Sequence, residues 1–354
     1  MRIVEIREKA VPMGAAMRNA VIDFSKMTVS AVAVVTDVKR DGKPVIGYGF
    51  NSNGRYSQGE IIRTRLAPRI LELTPKQQQN PTGDNLDPAA LRAAMMKNEK
   101  PGGHGERAVA VAAVEIALWD AAAKIADLPL WRMLGGDAAE NRAFVYAAGG
   151  YYDEEKGIPG LLEEVRGYLD AGYHWVKIKV GGAPIDHDIR RIESVLELLG
   201  SDGGRLAVDA NGRFDIESAL QYGAMMAPYG LRWFEEPGDP LDYALNAEIV
   251  RCYPHAVATG ENLLSVQDAI NLIRHGGLRR GTDYLQFDPT LAYGVLETIA
   301  IVEMMEEQGW SPRRFIPHGG NLLALAITGA FKLGGCESYP GVFQPFGGFA
   351  DDTP

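Results

Sequence analysis

The sequence predicts a parallel (β/α)8 barrel that follows a smaller α+β unit. From residue 142 onward, eight short strand-like runs alternate with helical patterns, and this number and spacing suit such a barrel. Charged and polar residues follow the ends of many of these runs. Because the strand ends of a barrel meet at one mouth, we expect these side chains to lie together there.

The first third of the chain predicts the α+β unit. Three strands are indicated at 2–8, 27–38 and 44–52, and the Asp-Gly pair in KRDGK predicts a hairpin turn between the last two. Helical patterns follow at 58–73, around 88–97 and at 106–126, the last of which is apolar almost all round and therefore predicted to be buried. We expect this capping unit over 1–136 and the barrel over 137–354.

The barrel elements follow in strict alternation. The predicted strands are RAFVYAAGG, HWVKIKV, RLAVDAN, LRWFEEP, HAVATGE, DYLQFDP, RRFIPHG and LGGCESY. The predicted helices are LLEEVRGYLDAG, which ends at Gly172, and then 186–199, 215–228, 240–252, 266–275, 292–308 and 321–331. A doubly wound sheet is the competing arrangement. We disfavour it because no glycine-rich phosphate loop follows the first strand and the functional groups are spread over seven strand ends.

Composition excludes several classes of function. The formal net charge of -10 argues against a surface for nucleic acid or anionic membrane, although a local cation could still bind an anionic substrate. Cys252 and Cys336 are expected to be reduced thiols. The start MRIVEIREKAV lacks the apolar core of a signal peptide, and no apolar run is long enough to span a bilayer. We therefore expect a soluble cytoplasmic protein.

Three acidic residues, Asp209, Glu235 and Glu261, end three successive predicted strands. Convergence of three negative charges is unfavourable unless a cation neutralises them. Ligation by oxygen alone favours Mg²⁺ or Mn²⁺ over zinc. Any one of these acids could simply cap a helix or form a salt bridge, but three at matching positions predict a metal site.

A Lys-x-Lys pair and a histidine flank this predicted metal site. Lys177 and Lys179 are two residues apart on one strand, so both are expected to point into the barrel. Two buried ammonium groups disfavour each other's charge, which should lower at least one pKa and provide a general base. His318 and Asp288 end neighbouring strands, where a hydrogen bond could fix the imidazole tautomer.

The ordered motifs VKIKV, VDANG, WFEEP, TGEN and PHGG resemble those of the enolase superfamily and, within it, the mandelate racemase subgroup. This resemblance covers nearly the whole chain. It implies an α+β capping domain at the N-terminus and a modified TIM barrel of (β/α)7β type. It also implies that Asp209, Glu235 and Glu261 bind Mg²⁺.

The same resemblance implies a mechanism of dehydration. Lys179 would remove the proton α to a carboxylate, and His318, paired with Asp288, would protonate the β-hydroxyl as it leaves from the opposite face. Lys177 and Glu337, the latter only if protonated, would stabilise the enediolate together with Mg²⁺. The stretches KPGGHGERAVAVAAVEIALWD, FIPHGGNLLALAI and YPGVFQPFGGFADD resemble the D-tartrate dehydratases, whose product would be oxaloacetate.

Substrate specificity is expected to come from loops of the capping domain. The candidate substrate-binding residues are Met17, Arg18, Asn51, Asn53, Arg55, Tyr56, Lys100 and His104, with Glu337 and Asn211 in the barrel. A diacid needs a second cation, for which Arg55 and Lys100 are the candidates. Asn211 either stands beside the metal or braces the loop after Asp209.

Two alternatives to a tartrate dehydratase remain open from the sequence. The same groups would serve a dehydratase of galactarate, glucarate or an aldonate, or a racemase or epimerase of the same superfamily. A barrel retained as a non-catalytic binding protein is the alternative from another class. The resemblance also implies a homo-oligomer and a segment after the barrel that returns to the capping domain. Since this chain stops at Pro354, we expect either a missing tail or a capping domain held differently.

Overall fold

The computed structural model describes residues 1–13, 18–52, 55–102, 104–140, 142–153 and 155–340. Two of the candidate lid residues, Met17 and Asn53, lie outside these described residues, as does the segment 341–354. Two sheets organise the described chain: a three-stranded antiparallel sheet at the N-terminus and a seven-stranded parallel sheet after it.

The N-terminal sheet has the order β1 (Ile3–Pro12), β2 (Thr28–Arg40) and β3 (Lys43–Phe50). The turn between β2 and β3 has positive φ at Asp41 (52°) and Gly42 (76°), so the predicted Asp-Gly hairpin is confirmed. Six helices follow, with a π-helical segment at Ile62–Leu66. They are α1 Gly59–Ile61, α2 Ala67–Leu71, α3 Pro75–Gln78, α4 Pro88–Met95, α5 Gly105–Ala126 and α6 Leu130–Met133.

Helix α5 packs directly on β3, as its apolar sequence predicts. Two glycines of β3 permit the close approach, since a Cβ added at Gly47 would lie 2.0 Å from the carbonyl oxygen of Ala117. A Cβ added at Gly49 would lie 2.2 Å from the carbonyl oxygen of Ala113. The helix is buried along most of its length, and its alanines and valines form the core of this unit.

The parallel sheet curves into a barrel in the order β10-β4-β5-β6-β7-β8-β9. Its strands are β4 Val145–Ala148, β5 Val176–Lys179, β6 Leu206–Asp209, β7 Phe234–Glu235, β8 Val257–Thr259, β9 Tyr284–Leu285 and β10 Cys336–Ser338. The helices between them are α7 Gly157–Asp170, α8 Ile185–Leu198, α9 Ile216–Met226, α10 Tyr243–Cys252, α11 Val266–His275, α12 Val295–Glu307 and α13 Leu322–Phe331. Short 3-10 turns occur at Phe24–Lys26, Ala138–Glu140, Gly203–Arg205, Ala227–Tyr229 and Pro312–Arg314.

The predicted seventh barrel strand, RRFIPHG, does not form a regular strand. Phe315 makes an isolated parallel bridge with Leu285, and the N–H of Ile316 donates to the carbonyl of Leu285 at 2.9 Å. Pro317 then has no N–H to continue a ladder. On the other side, the N–H of Gly334 donates to the carbonyl of Phe315 at 2.8 Å. This segment therefore closes the barrel between β9 and β10, and the prediction of eight regular strands is corrected to seven.

Among the described residues, Cys252 and Cys336 are free thiols. No helix of the described chain combines the length and apolar character needed to cross a membrane.

Candidate active site

Three carboxylates converge at the C-terminal rim of the barrel, as predicted. Asp209 and Glu235 end β6 and β7 and are direct neighbours in the sheet register, and Glu261 follows β8 by two residues. Each offers one oxygen, and these oxygens lie within 4.8 Å of one another. Parallel strands bring their carboxyl ends to one edge, so short runs of sequence are enough to assemble this cluster.

The electrostatics of the cluster call for a positive charge. Burial raises the pKa of Glu235 to about 8, and the neighbouring charge of Asp209 adds to the rise. Burial also opposes ionisation of Asp209, but Lys179 and Lys177 hold the pKa of that carboxyl below its usual range. The negative charge of Asp209 is therefore balanced by the two buried lysines, whereas the negative charge of Glu235 is reduced by protonation.

The buried oxygens of the described residues that lack a hydrogen-bond partner include Oε2 of Glu261, one of the three acids, and Oδ1 of Asn211. Oε2 of Glu261 has an ion-pair contact with Nε2 of His318 at 3.3 Å. Carboxylate and amide oxygens are the ligands that hard divalent cations prefer. This donor set therefore fits such a cation.

Lys177 and Lys179 on β5 both point into the barrel mouth, as their spacing predicts. Nζ of Lys177 lies 2.5 Å from an oxygen of Glu235 and 2.5 Å from an oxygen of Glu337. Nζ of Lys179 donates to Asp209. Burial favours the neutral amines, but these carboxylates prevail and raise the pKa of both lysines. The expected lowering by mutual repulsion is wrong, because each amine has a closer carboxylate.

Nδ1 of His318 lies 2.8 Å from Oδ2 of Asp288, so the hydrogen bond expected between neighbouring strand ends is present. Asp288 is fixed in turn by the N–H and the hydroxyl of Thr290, at 2.7 and 2.6 Å. Burial favours neutral imidazole, but Glu261 and Asp288 outweigh it and raise the pKa of His318 to about 10. In this state the imidazole is protonated at neutral pH and can donate a proton through Nε2.

A cavity of about 240 Å³ lies above these groups. Its barrel side includes Lys179, Asn211, Glu261 and His318, and its other side is formed by the capping unit, with Asn19, Val21, Ile22, Phe24 and Arg55. The backbone of the capping loop is held to the barrel where the N–H of Tyr152 donates to the carbonyl of Arg18 at 3.2 Å. The ring of Phe24 also meets that of Tyr151 edge to face, with centroids 5.9 Å apart.

Several predicted substrate-binding residues do not line this cavity. Tyr56 and Lys100 are exposed outside it, and the ring of His104 pairs with Asp268 at 3.0 Å. Asn51 is buried in the capping unit, where its Oδ1 accepts from the N–H of Ser30 at 2.6 Å and its Nδ2 donates to the carbonyl of Arg55 at 3.3 Å. Asn51 thus braces the loop that carries Arg55.

Glu337 is likewise not in the lining of this cavity. It is fully buried beneath the cavity, and Oε2 accepts from Tyr339 at 2.7 Å and from the N–H of Gly319 at 3.2 Å. Burial opposes its ionisation, but Lys177 and His318 lower the pKa of Glu337 to about 2. The carboxyl is therefore ionised, so the protonated form that could help to stabilise an enediolate is not the one present.

Sequence reasoning missed other groups that line the cavity, chiefly Glu236, Asn262, Tyr151 and Tyr339. Glu236 and Asn262 directly follow the predicted metal ligands in WFEEP and TGEN. Their position next to those ligands is the sequence feature that could have identified them. The N–H of Asn211 donates to Oδ1 of Asp209 at 2.9 Å, and its side chain lines the cavity, so both predicted roles, beside the metal and in the loop after Asp209, stay open.

Two family models match the chain. Residues 6–135 match the N-terminal domain of the mandelate racemase / muconate lactonizing enzyme family, and residues 160–339 match the enolase C-terminal domain-like family. Together these matches cover most of both sheets, and β4 lies between the two matched ranges.

Similar curated proteins act on acid sugars. A 3,6-anhydro-alpha-L-galactonate cycloisomerase from Streptomyces coelicolor is 38% identical over 50% of this chain and 47% of its own length. An arabinonate dehydratase from Saccharolobus solfataricus is 32% identical over 60% of this chain and 56% of its own. An L-talarate/galactarate dehydratase from Salmonella typhimurium is 32% identical over 87% of this chain and 72% of its own. The chain thus spans about half the length of the first two.

Solved structures share the fold. A racemase from Streptomyces coelicolor with bound magnesium has a TM-score of 0.77 and 25% identity, over 95% of this chain and 89% of that one. An L-talarate dehydratase from Polaromonas sp. JS666, complexed with Mg and L-glucarate, has a TM-score of 0.72 and 25% identity, over 96% and 86%.

Proposed function

The chain belongs to the mandelate racemase subgroup of the enolase superfamily, and we propose that it is a Mg²⁺-dependent dehydratase of an acid sugar. One observation carries this proposal: Lys179 and His318 line the same cavity, and the strands between them, β6 to β8, lead into the acidic residues. A base and an acid therefore flank the place where a substrate carboxylate would meet a cation.

Asp209, Glu235 and Glu261 would hold the Mg²⁺ ion, with Asn211 beside it. When bound, the ion would neutralise these carboxylates and stabilise negative charge that develops on a substrate carboxylate. Lys179 would then lose Asp209 as its ion-pair partner, and its neutral amine would serve as the general base.

The reaction would proceed by two proton transfers. Lys179 takes the proton from the carbon α to the carboxylate and becomes an ammonium, which places a second charge on the carboxylate oxygens. His318 donates the proton on Nε2 to the β-hydroxyl as the C–O bond breaks, and the group leaves as water. The resulting enol tautomerises to a 2-keto acid. Removal and donation from opposite faces predict anti elimination.

D-tartrate is the substrate that we propose first, with oxaloacetate as product, on the resemblance of three long stretches of the sequence to tartrate dehydratases. Relatives named for talarate, galactarate and arabinonate support a longer acid sugar as the second candidate. The presence of Arg55 in the cavity lining favours a substrate with two carboxylates in either case.

The test is a dehydration screen with Mg²⁺ over D-, L- and meso-tartrate, galactarate, glucarate and a set of aldonates, with 2-keto acid as the readout. Formation of oxaloacetate from D-tartrate alone supports the first candidate. Isomerised acid sugar with solvent deuterium at the α-carbon, and no keto acid, would instead indicate a racemase or epimerase. Absence of turnover together with absence of Mg²⁺ binding would favour a non-catalytic barrel. The domain boundary at residue 136, the homo-oligomeric state and the cytoplasmic location stay predictions.

A further inference from the structure

A buried carboxylate that the mechanism does not use lies beside the metal-binding acids. Glu236 follows Glu235 directly, is almost completely buried and lines the cavity. Its backbone has a positive φ of 38°, a conformation that is unfavourable for residues other than glycine. Two backbone hydrogen bonds hold it there: its N–H donates to the carbonyl of Ala258 at 2.9 Å, and its carbonyl accepts from Gly212 at 2.8 Å. The fold thus maintains a strained residue whose side chain faces the cavity.

Glu236 fixes the orientation of one neighbouring amide. Nδ2 of Asn262 donates to both carboxylate oxygens of Glu236, at 2.9 and 2.9 Å. A guanidinium can only donate, so the amide oxygen of Asn262 must face Arg55 and its amide nitrogen must face Glu236. That oxygen accepts a hydrogen bond from Nη2 of Arg55.

Arg55 comes from the capping unit, 207 residues away in sequence from Asn262. Besides Lys179, it is the one lysine or arginine in the lining of this cavity among the described residues. A guanidinium presents five N–H donors in a planar fork, so it can hold Asn262 and bind a carboxylate at the same time. The second carboxylate of a diacid that reaches the capping side of the cavity would meet this group.

We propose that Glu236 and Asn262 are positioning residues that hold Arg55 at the cavity, and that Arg55 selects acid sugars with two carboxylates over those with one. The inference rests on the proposed function for the chemical class of ligand. It goes further by assigning the position of Arg55 to a specific hydrogen-bonded pair, Glu236 and Asn262.

The experiment measures binding without turnover, in a Lys179→Ala background with Mg²⁺ present. Calorimetry gives dissociation constants for galactarate and for galactonate, which differ by one terminal carboxylate. Arg55→Met should weaken galactarate about tenfold or more and galactonate less than about threefold, because a charge-assisted hydrogen bond is lost for the diacid alone. Asn262→Leu and Glu236→Gln should reduce the same preference with Arg55 intact, and Asn262→Gln, which keeps the amide, should restore part of it. Lys97→Met, which removes an exposed cation outside the cavity, is the charge-matched control.

Equal weakening of both ligands by Arg55→Met, or no weakening of either, would overturn the proposal. So would a change of preference in Asn262→Leu that follows a matching loss of Mg²⁺ affinity, because these residues would then belong to the metal site. The proposed dehydration and the proposed role of Arg55 can be disproved independently of each other. Lack of 2-keto acid formation by the unmodified enzyme removes the proposed dehydration, whereas the galactarate-to-galactonate ratio decides the role of Arg55.

Discussion

His318 is oriented by Asp288: the 2.8 Å contact at Nδ1 commits that nitrogen to the carboxylate and leaves Nε2 facing the cavity, 3.3 Å from Glu261. Asp288 is completely buried and is itself held by Thr290. The pair therefore fixes both the direction and the charge of the imidazole, which is what a proton donor to a leaving hydroxyl requires.

Replacement of His318 by Asn should lower kcat for dehydration about 100-fold to 10,000-fold, the usual contribution of a general acid. Exchange of the substrate α-proton with solvent should persist, because Lys179 remains. Asp288→Asn should cause a smaller loss, since the imidazole stays but its orientation and charge are less well defined. His275→Asn, at the exposed end of α11, is the control. Full dehydration by His318→Asn would exclude the assignment of the acid.

Mg²⁺ affinity should rise with pH and level off near pH 8. Burial and Asp209 raise the pKa of Glu235 to about 8, so below that pH a proton must leave before the carboxylate can bind a cation. Because one proton is released, Mg²⁺ affinity should rise by no more than about tenfold per pH unit. Calorimetric titrations at pH 6 to 9, in buffers of different ionisation enthalpy, measure both affinity and proton release. An affinity that is flat below pH 8, with no proton released, would contradict this prediction.

Glu115 should make stability depend on pH away from the active site. This fully buried carboxylate of α5 accepts from the N–H groups of Val295 and Leu296, at 2.7 and 3.0 Å, at the start of α12. Burial raises the pKa of Glu115 to about 7, against the effect of these hydrogen bonds. The pKa of Glu115 is higher in the folded protein than in the unfolded chain. Its contribution to the free energy of unfolding is therefore fully present below about pH 4.5 and is lost as pH rises through 7.

Denaturant unfolding of the wild type and of Glu115→Gln between pH 4.5 and 8 checks this effect. The variant should lack this part of the pH dependence. Its free energy of unfolding should also be lower by about 1–3 kcal/mol near pH 5, because the amide NH₂ of the glutamine would face a backbone N–H instead of accepting from it. Identical pH profiles for the two proteins would show that Glu115 does not titrate in this range.

Gly47→Ala should destabilise the capping unit strongly. The added Cβ would lie 2.0 Å from a carbonyl oxygen of α5, so the helix must move off the sheet or the strand must distort. We expect a loss of about 3 kcal/mol or more, at the upper end of overpacking effects. Gly167→Ala in α7, where an added Cβ meets nothing within 4 Å, should instead be neutral or stabilising. Similar midpoints of thermal unfolding for both variants would argue against the close packing of β3 on α5.

The parts of this structure that the sequence predicted share one physical basis. Asp209, Glu235 and Lys179 lie at or beside the ends of parallel strands, where register alone determines which side chains converge. The hairpin at Asp41 and Gly42 and the buried helix α5 are likewise local consequences of residue type. Glu261 and His318 lie just past regular structure, yet neighbouring strand ends still bring them to the same rim.

What the sequence did not predict depends on contacts between distant segments. Arg55 meets Asn262 across the boundary between two sheets, and no periodic pattern encodes that contact. The raised pKa of Lys179 depends on its distance to Asp209, and the buried position of Glu337 depends on the path of the chain after β10. Lys100, the other candidate for a second cation, is exposed outside the cavity.

The most direct test of the account is exchange of the substrate α-proton in D₂O, followed by mass spectrometry of substrate and product, with and without Mg²⁺, in the wild type and in Lys179→Ala. We expect deuterium incorporation at the α-carbon and dehydration by the wild type only when Mg²⁺ is present, and neither process in Lys179→Ala. Dehydration that continues without a divalent cation, or α-proton exchange that persists in Lys179→Ala, would contradict the account.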